Sequence, residues 1–228
     1  VTGKCPRPVR RAVLTHHHED HGGNLGRLQQ ELGLPAFAPP AALAPLERGF
    51  PLRLYQRLVW GVPRRLRAAP LPERLEIDGE PVEALPVPGH SPDSTAFLVP
   101  GRGWLFAGDL YISSRPRYLR ADEDLDAVIA SLGRVLERDF AVVFCAHRGV
   151  LRHGRAALAA KRGFLLELCQ RVAALHGEGR TAEEITRTLL GREGLMTWVT
   201  QHHFAKRALV GACLRRAAGA PGGGLSRG

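Results

Sequence analysis

The chain has 228 residues, 44% of them hydrophobic, and a formal net charge of +10. That length suits one large domain or a domain with a small appendage, and the apolar content is ordinary for a folded core. No run of 18 apolar residues occurs, which excludes a transmembrane helix, and the opening residues carry no apolar signal segment. The charge comes almost wholly from arginine, with lysine only at Lys4, Lys161 and Lys206. The arginines are spread along the chain, so the excess reads as compositional bias before it reads as a nucleic-acid surface.

Strand and helix signals alternate along the first two thirds. The stretch 10–15 reads as a short buried strand. A helix follows over 22–32, with Leu25, Leu28 and Leu32 on one face and Gly33 as its stop. Residues 35–38 suit a short strand. Residues 39–72, rich in Pro, Leu and Arg, suggest a helix or two plus irregular cover, with Leu54, Tyr55, Leu58, Val59 and Trp60 as pocket wall or ordinary packing. Strands are expected at 82–87, 95–99, 104–107 and 141–145, with a helix over 122–136. From about 155 the character is helical. One helix spans 156–175, a second starts at Thr181 with Glu184 completing a capping box, and a third covers 204–217. The residues from 218 on read as a disordered tail.

Residues 15–23 read Thr-His-His-His-Glu-Asp-His-Gly-Gly. Imidazole and carboxylate suit zinc and similar borderline metals. His16, His18, Asp20 and His21 fit His-x-His-x-Asp-His, a spacing that points two ligands at one metal and two at a neighbour. Three of the expected strands end in a further ligand type: His90 after Pro88-Gly89, Asp109 after Gly108, and His147 after Ala146. Strand ends are where an α/β scaffold gathers a site from distant sequence.

These pieces, His16 to Asn24, Pro88-Gly-His-Ser-Pro-Asp-Ser94, Leu105-Phe-Ala-Gly-Asp-Leu110 and Cys145-Ala-His147, occur in the order found in the metallo-β-lactamase-fold hydrolases. The chain resembles that superfamily over about 9–150. The resemblance implies an αββα sandwich, with 1–153 as the catalytic domain, 154–217 as a C-terminal helical appendage and 218–228 as the tail. It implies two divalent ions, zinc first and iron or manganese acceptable to the same ligands. His16, His18 and His90 would hold one, Asp20, His21 and His147 the other, and Asp109 would bridge them. A hydroxide held between the metals would then be the nucleophile. Asp20 and Asp109 are thus the catalytic carboxylates, with Asp20 also steering the hydroxide. His17 and Glu19 read as non-ligands, Glu19 as a partner for an imidazole N–H. Ser94 and Thr95 read as a turn entering a strand or as support for the ligands. His153, His176, His202 and His203 have no such context and read as ordinary histidines.

Two departures stand out. Family members usually place several strands before the first His motif, and here only about 14 residues precede Thr15. Residue 1 is Val and the only Met is Met196. The expectation is a ligand set intact on a scaffold short of N-terminal strands. The helical tail resembles the glyoxalase-II-like and β-lactamase-like-protein-2-like branches. The first functional expectation is therefore a zinc hydrolase of a small acyl substrate, a thioester or lactone. A second is a phosphodiesterase or ribonuclease on RNA, with Arg152, Arg155, Lys161 and Arg162 on the phosphates. A third is a non-catalytic metal-binding or nucleic-acid-binding member. None of Cys5, Cys145, Cys169 and Cys213 forms a Cys-x-x-Cys pair, so the thiols read as reduced in a cytoplasmic protein with no membrane partner.

Overall fold

The structure, a computed structural model, describes residues 9–77 and 79–219. The loop expected over the first eight residues, Cys5, and the expected tail from 220 on lie outside them. The chain clusters into two compact units, Val1–Val82 and Glu83–Gly228. Among the described residues no helix is long and apolar enough to cross a membrane.

In the first unit β1 (Ala12–Val13) pairs in parallel with β2 (Ala36–Ala38), which pairs in parallel with β3 (Ala69–Pro70). The expected helix over 22–32 is divided. A short α1 (Glu19–Gly22) ends at Gly23, and α2 (Leu25–Leu32) starts after Asn24. The Gly22-Gly23 pair makes the break, because glycine is the poorest non-proline helix former. Gly33 ends α2 in the left-handed region, at φ 62°, where only glycine avoids a Cβ penalty. Next come α3 (Pro40–Arg48), with proline at its first turn, and α4 (Leu54–Val59). Leu14, Leu25, Ala38, Ala42, Leu46 and Leu66 bury one small core. In contrast, Leu54, Leu58, Val59 and Trp60 are all exposed, so the apolar side chains around α4 are surface rather than packing. The unit closes with a hairpin of β4 (Leu75–Ile77) on the start of β5 (Glu80–Pro86).

In the second unit the later part of β5 pairs with β6 (Thr95–Val99), β6 with β7 (Trp104–Gly108), β7 with β9 (Val142–Cys145) and β9 with β10 (Gly149–Leu151). Every residue of β6 is buried, as expected of an apolar run between two paired neighbours. The β5–β6 and β6–β7 pairs are antiparallel and β7–β9 is parallel. The C-terminal ends of β5, β7 and β9 therefore emerge at one edge of the sheet, the edge that carries His90, Asp109 and His147.

Helix α5 (Leu125–Leu136) follows the short β8 (Leu119–Arg120) and turns Leu125, Val128, Ile129, Leu132 and Val135 inward, a spacing of one helical face. Its N-cap is Asp124, whose carboxylate accepts from the Ala127 N–H at 3.0 Å. The long α6 (Gly154–Gly177) buries Leu158, Leu165, Leu168 and Val172. Each fully buried leucine contributes roughly 1.5–3 kcal/mol. α7 (Ala182–Leu190) starts at the expected Thr181–Glu184 capping box. The short α8 (Leu195–Val199), which periodicity does not reveal, precedes β11 (Phe204–Ala205) and α9 (Lys206–Ala217). β11 pairs antiparallel with β8.

Candidate metal centre

In the first unit β1 delivers the chain through buried Leu14 to the histidine run. His16 is 1% exposed and His18 6%. Thr15 Oγ1 lies 3.0 Å from Nδ1 of His16, which fixes the ring and leaves Nε2 as its other donor atom. The His16 ring centre is 4.6 Å from that of His18 and 4.1 Å from that of His21. Nε2 of His21 stands 3.7 Å from a carboxylate oxygen of Asp20. His16, His18, Asp20 and His21 are therefore together at the mouth of α1. His17 turns instead to the Phe50 ring, 4.8 Å away. Glu19 is buried, and its Oε1 accepts from Nε2 of Gln56 at 2.6 Å. It joins α1 to α4, a partner that sequence reasoning did not find in place of the expected imidazole.

In the second unit the three strand ends meet. Asp109 follows β7 and His147 follows β9, and the parallel register opposes Gly108 to Cys145. Oδ1 of Asp109 is 3.1 Å from Nε2 of His147, and Oδ2 is 3.3 Å from Nε2 of His90. The Asp109 carboxylate thus sits between two imidazoles. Nδ1 of His90 lies 2.6 Å from Oε1 of Glu123, which sequence reasoning missed. With Nδ1 donating to Glu123, a neutral His90 ring turns a lone pair toward Asp109. Two lone-pair donors at 3.3 Å are an arrangement that a cation satisfies, so the imidazole and carboxylate donors of this unit fit a divalent metal. Burial pushes the Glu123 carboxyl up, but the hydrogen bonds and charges of His90 and Arg120 together outweigh it and hold the group below the usual carboxylate range. Ser91 Oγ and Ser94 Oγ are 2.7 Å apart, and Thr95 donates to the Asp93 carbonyl. These bonds make the turn expected before β6.

The expectation for the phosphate-binding cations is corrected in part. Lys161 is buried and its ammonium donates to the Leu110 carbonyl at 2.7 Å. Burial lowers its pKa against the pull of Glu123 and Asp109. Arg155 donates to the carbonyls of Arg138 and Leu136. Two of the four cations expected to bind phosphate thus already bond backbone carbonyls, Lys161 inside the fold. His203, read as ordinary, is 5% exposed and lies 3.3 Å from Asp122. Cys145, Cys169 and Cys213 are buried free thiols.

The family model of the metallo-beta-lactamase superfamily matches residues 2–147. Hydroxyacylglutathione hydrolase of Pseudomonas putida (strain F1) is 30% identical over 151 residues, 64% of this chain and 51% of that protein. The uncharacterized protein YobT of Bacillus subtilis is 33% identical over 118 residues, 46% of this chain and 47% of that one. The chain spans about half the length of the curated relatives it matches. Among solved structures, a beta-lactamase domain protein from Burkholderia ambifaria superposes with a TM-score of 0.71 at 22% identity, over 94% of this chain and 70% of that one. A metallo-beta-lactamase family protein from Thermus thermophilus gives 0.65 at 23%, over 93% and 76%. TTHA1623, solved in a di-iron-bound form, gives 0.52 at 31%, over 64% and 74%. The family match covers well over half of the sequence, and the chain belongs to the metallo-β-lactamase superfamily.

Proposed function

We propose that this chain is a metal-dependent hydrolase that opens a small acyl substrate, a thioester or lactone, at a centre for two divalent ions. His16, His18 and His90 would hold one ion and Asp20, His21 and His147 the other, with Asp109 serving both. The observation that carries the reading is the Asp109 carboxylate, one oxygen 3.1 Å from His147 and the other 3.3 Å from His90. A two-metal assignment draws support from TTHA1623, the 31% identical protein solved with two irons. When bound, a pair of divalent ions supplies Lewis acidity that activates water near neutral pH and polarises the attacked carbonyl.

The chain's own residues do the rest. Imidazoles and one shared carboxylate, with no thiolates to close the site, would leave a position open to water, as catalytic rather than structural sites require. The Thr15 and Glu123 bonds to Nδ1 of His16 and His90 fix which ring nitrogen each turns to the centre. Asp109 adds a negative charge that offsets part of the charge two divalent ions bring. The exposed apolar side chains of α4 offer contact to the non-polar part of an acyl substrate. The thioester class rests on the 30% identical hydroxyacylglutathione hydrolase. Zinc is the first candidate and iron the second, since the ligand set accepts both.

The test is turnover by the zinc-loaded chain against three probes: a hydroxyacyl thioester of glutathione, a homoserine-type lactone and an activated phosphodiester. Thioester or lactone turnover that is abolished in Asp109→Ala supports the reading. Turnover of the phosphodiester alone, or zinc binding with no turnover of any probe, overturns it.

A further inference from the structure

We propose that Glu123 is a positioning residue for the metal-binding ring of His90, and that the C-terminal segment Gly194–Ala205 holds it there through His203, Asp122 and Arg120. The proposal rests on the two-metal reading above for its consequence, but its geometry lies wholly within the second unit.

Both carboxylate oxygens of Glu123 are engaged. Oε1 meets Nδ1 of His90 at 2.6 Å, and Oε2 accepts from the Arg120 backbone N–H at 3.1 Å. The carboxylate therefore cannot turn without breaking one bond. A carboxylate on the far nitrogen of a ligating imidazole fixes its tautomer and raises its basicity toward the metal.

The turn that carries Glu123 is built from three directions. The Arg120 guanidinium grips Asp122 with two parallel bonds, Nε to Oδ1 at 2.8 Å and Nη2 to Oδ2 at 2.6 Å, the strong fork geometry of arginine with carboxylate. The Asp124 N–H donates to the Gly89 carbonyl at 2.8 Å, next to His90 itself. From the C-terminal side, Nε2 of His203 stands 3.3 Å from Asp122 Oδ1, and the His203 carbonyl accepts from the Ala121 N–H at 2.9 Å. The β8–β11 pairing continues this clamp, Phe204 opposite Arg120.

His203 reaches that place through unusual backbone. Gln201 and His202 have φ of 53° and 62°, a left-handed pair that residues with a Cβ rarely adopt and that persists only where its surroundings over-determine it. They do so here. The His202 N–H donates to the Thr197 carbonyl at 2.7 Å, the His203 N–H to the Thr200 carbonyl at 3.0 Å and the Phe204 N–H to Thr200 Oγ1 at 3.1 Å. Glu193 adds bonds to Thr197 Oγ1 at 2.6 Å and the Arg207 N–H at 2.8 Å. Strained backbone held this firmly beside a ligand-bearing turn marks the C-terminal region as part of the centre's support rather than a bystander.

The test compares wild-type full-length chain with Glu123→Leu, Glu123→Gln, His203→Ala and His203→Gln. The first readout, which needs no metal, is the Nδ1 proton of His90, followed by NMR of ¹⁵N-histidine-labelled protein. A proton in a short bond to a carboxylate resonates far downfield. We expect this signal in the wild type, its loss in Glu123→Leu, and a shift in His203→Ala that His203→Gln reverses. The second readout is zinc affinity by chelator competition, weakened about 10- to 100-fold in Glu123→Leu and partly recovered in Glu123→Gln, which keeps an acceptor. A wild-type chain without the downfield proton, or folded Glu123 variants with unchanged zinc affinity, would overturn the positioning role. Unchanged NMR in both His203 variants would overturn the C-terminal link. If the wild type shows the proton but binds no zinc, the two-metal reading fails and the Glu123–His90 bond stands as structural only, which also overturns the positioning role.

Discussion

A β-carbon at residue 89 would stand 2.5 Å from the backbone nitrogen of Val128 and 2.8 Å from its Cα, so Gly89 and Val128 are in a contact that only glycine permits. Gly89 also has φ 135°, outside the range of residues with a side chain. The glycine that precedes His90 is thus what lets the loop carrying His90 lie against the first turns of α5. Gly89→Ala meets both overpacking and backbone strain, each costing about 1–3 kcal/mol. Urea unfolding of the metal-free protein should show a loss of about 2–6 kcal/mol. An unchanged midpoint would contradict the close packing of this loop.

Asp122 gives an acid-side signature. Burial raises its pKa, but hydrogen bonds from His203 and Arg120 outweigh that and hold the carboxyl well below the usual range. A carboxyl depressed on folding contributes stability above its unfolded value, about 3.9, and loses it as pH falls from there through the folded value. Thermal unfolding of the wild type from about pH 7 down to about pH 3 should therefore include a loss below about pH 4 that Asp122→Asn lacks. Parallel curves for the two proteins would show that the network does not favour the ionised form.

The cap of α7 is a separate test of the helical region. Thr181 Oγ1 accepts from the Glu184 N–H at 3.3 Å, and the Thr181 N–H donates back to Glu184 at 2.9 Å. α7 lays Ile185 and Leu190 into the core of the second unit. Removing the cap with Thr181→Ala should cost about 1 kcal/mol in chemical denaturation and leave zinc affinity unchanged. A change in zinc affinity would mean that α7 reaches the centre.

The candidate ligands legible in the sequence are those whose neighbours announce them. His16, His18, Asp20 and His21 are contiguous, and His90, Asp109 and His147 each follow an apolar run that folds as a strand. β6 and β7 were readable because short β-branched and aromatic runs between Gly and Pro leave few alternatives. Glu123 was not readable as a partner of His90, since it is one acid among several before α5 and its partner is distant in sequence. His203 was passed over for the same reason, as it gains meaning only through Asp122 across a two-residue bridge that has no sequence pattern. α8 is too short for helical periodicity to register, and its Leu195, Met196 and Trp198 are exposed, so no buried apolar face marks it. Lys161 reads as a surface charge but lies inside the fold, its ammonium on a carbonyl.

The central claim is that seven side chains from four separate stretches of sequence hold two metal ions, with Asp109 common to both. Metal analysis of the full-length chain after zinc loading and exhaustive dialysis tests it most directly. The account predicts two equivalents per chain in the wild type, and one or fewer in Asp109→Ala with hydrolysis of every true substrate lost. A wild-type chain that retains a single equivalent, or an Asp109→Ala variant that keeps both ions and its turnover, would contradict it.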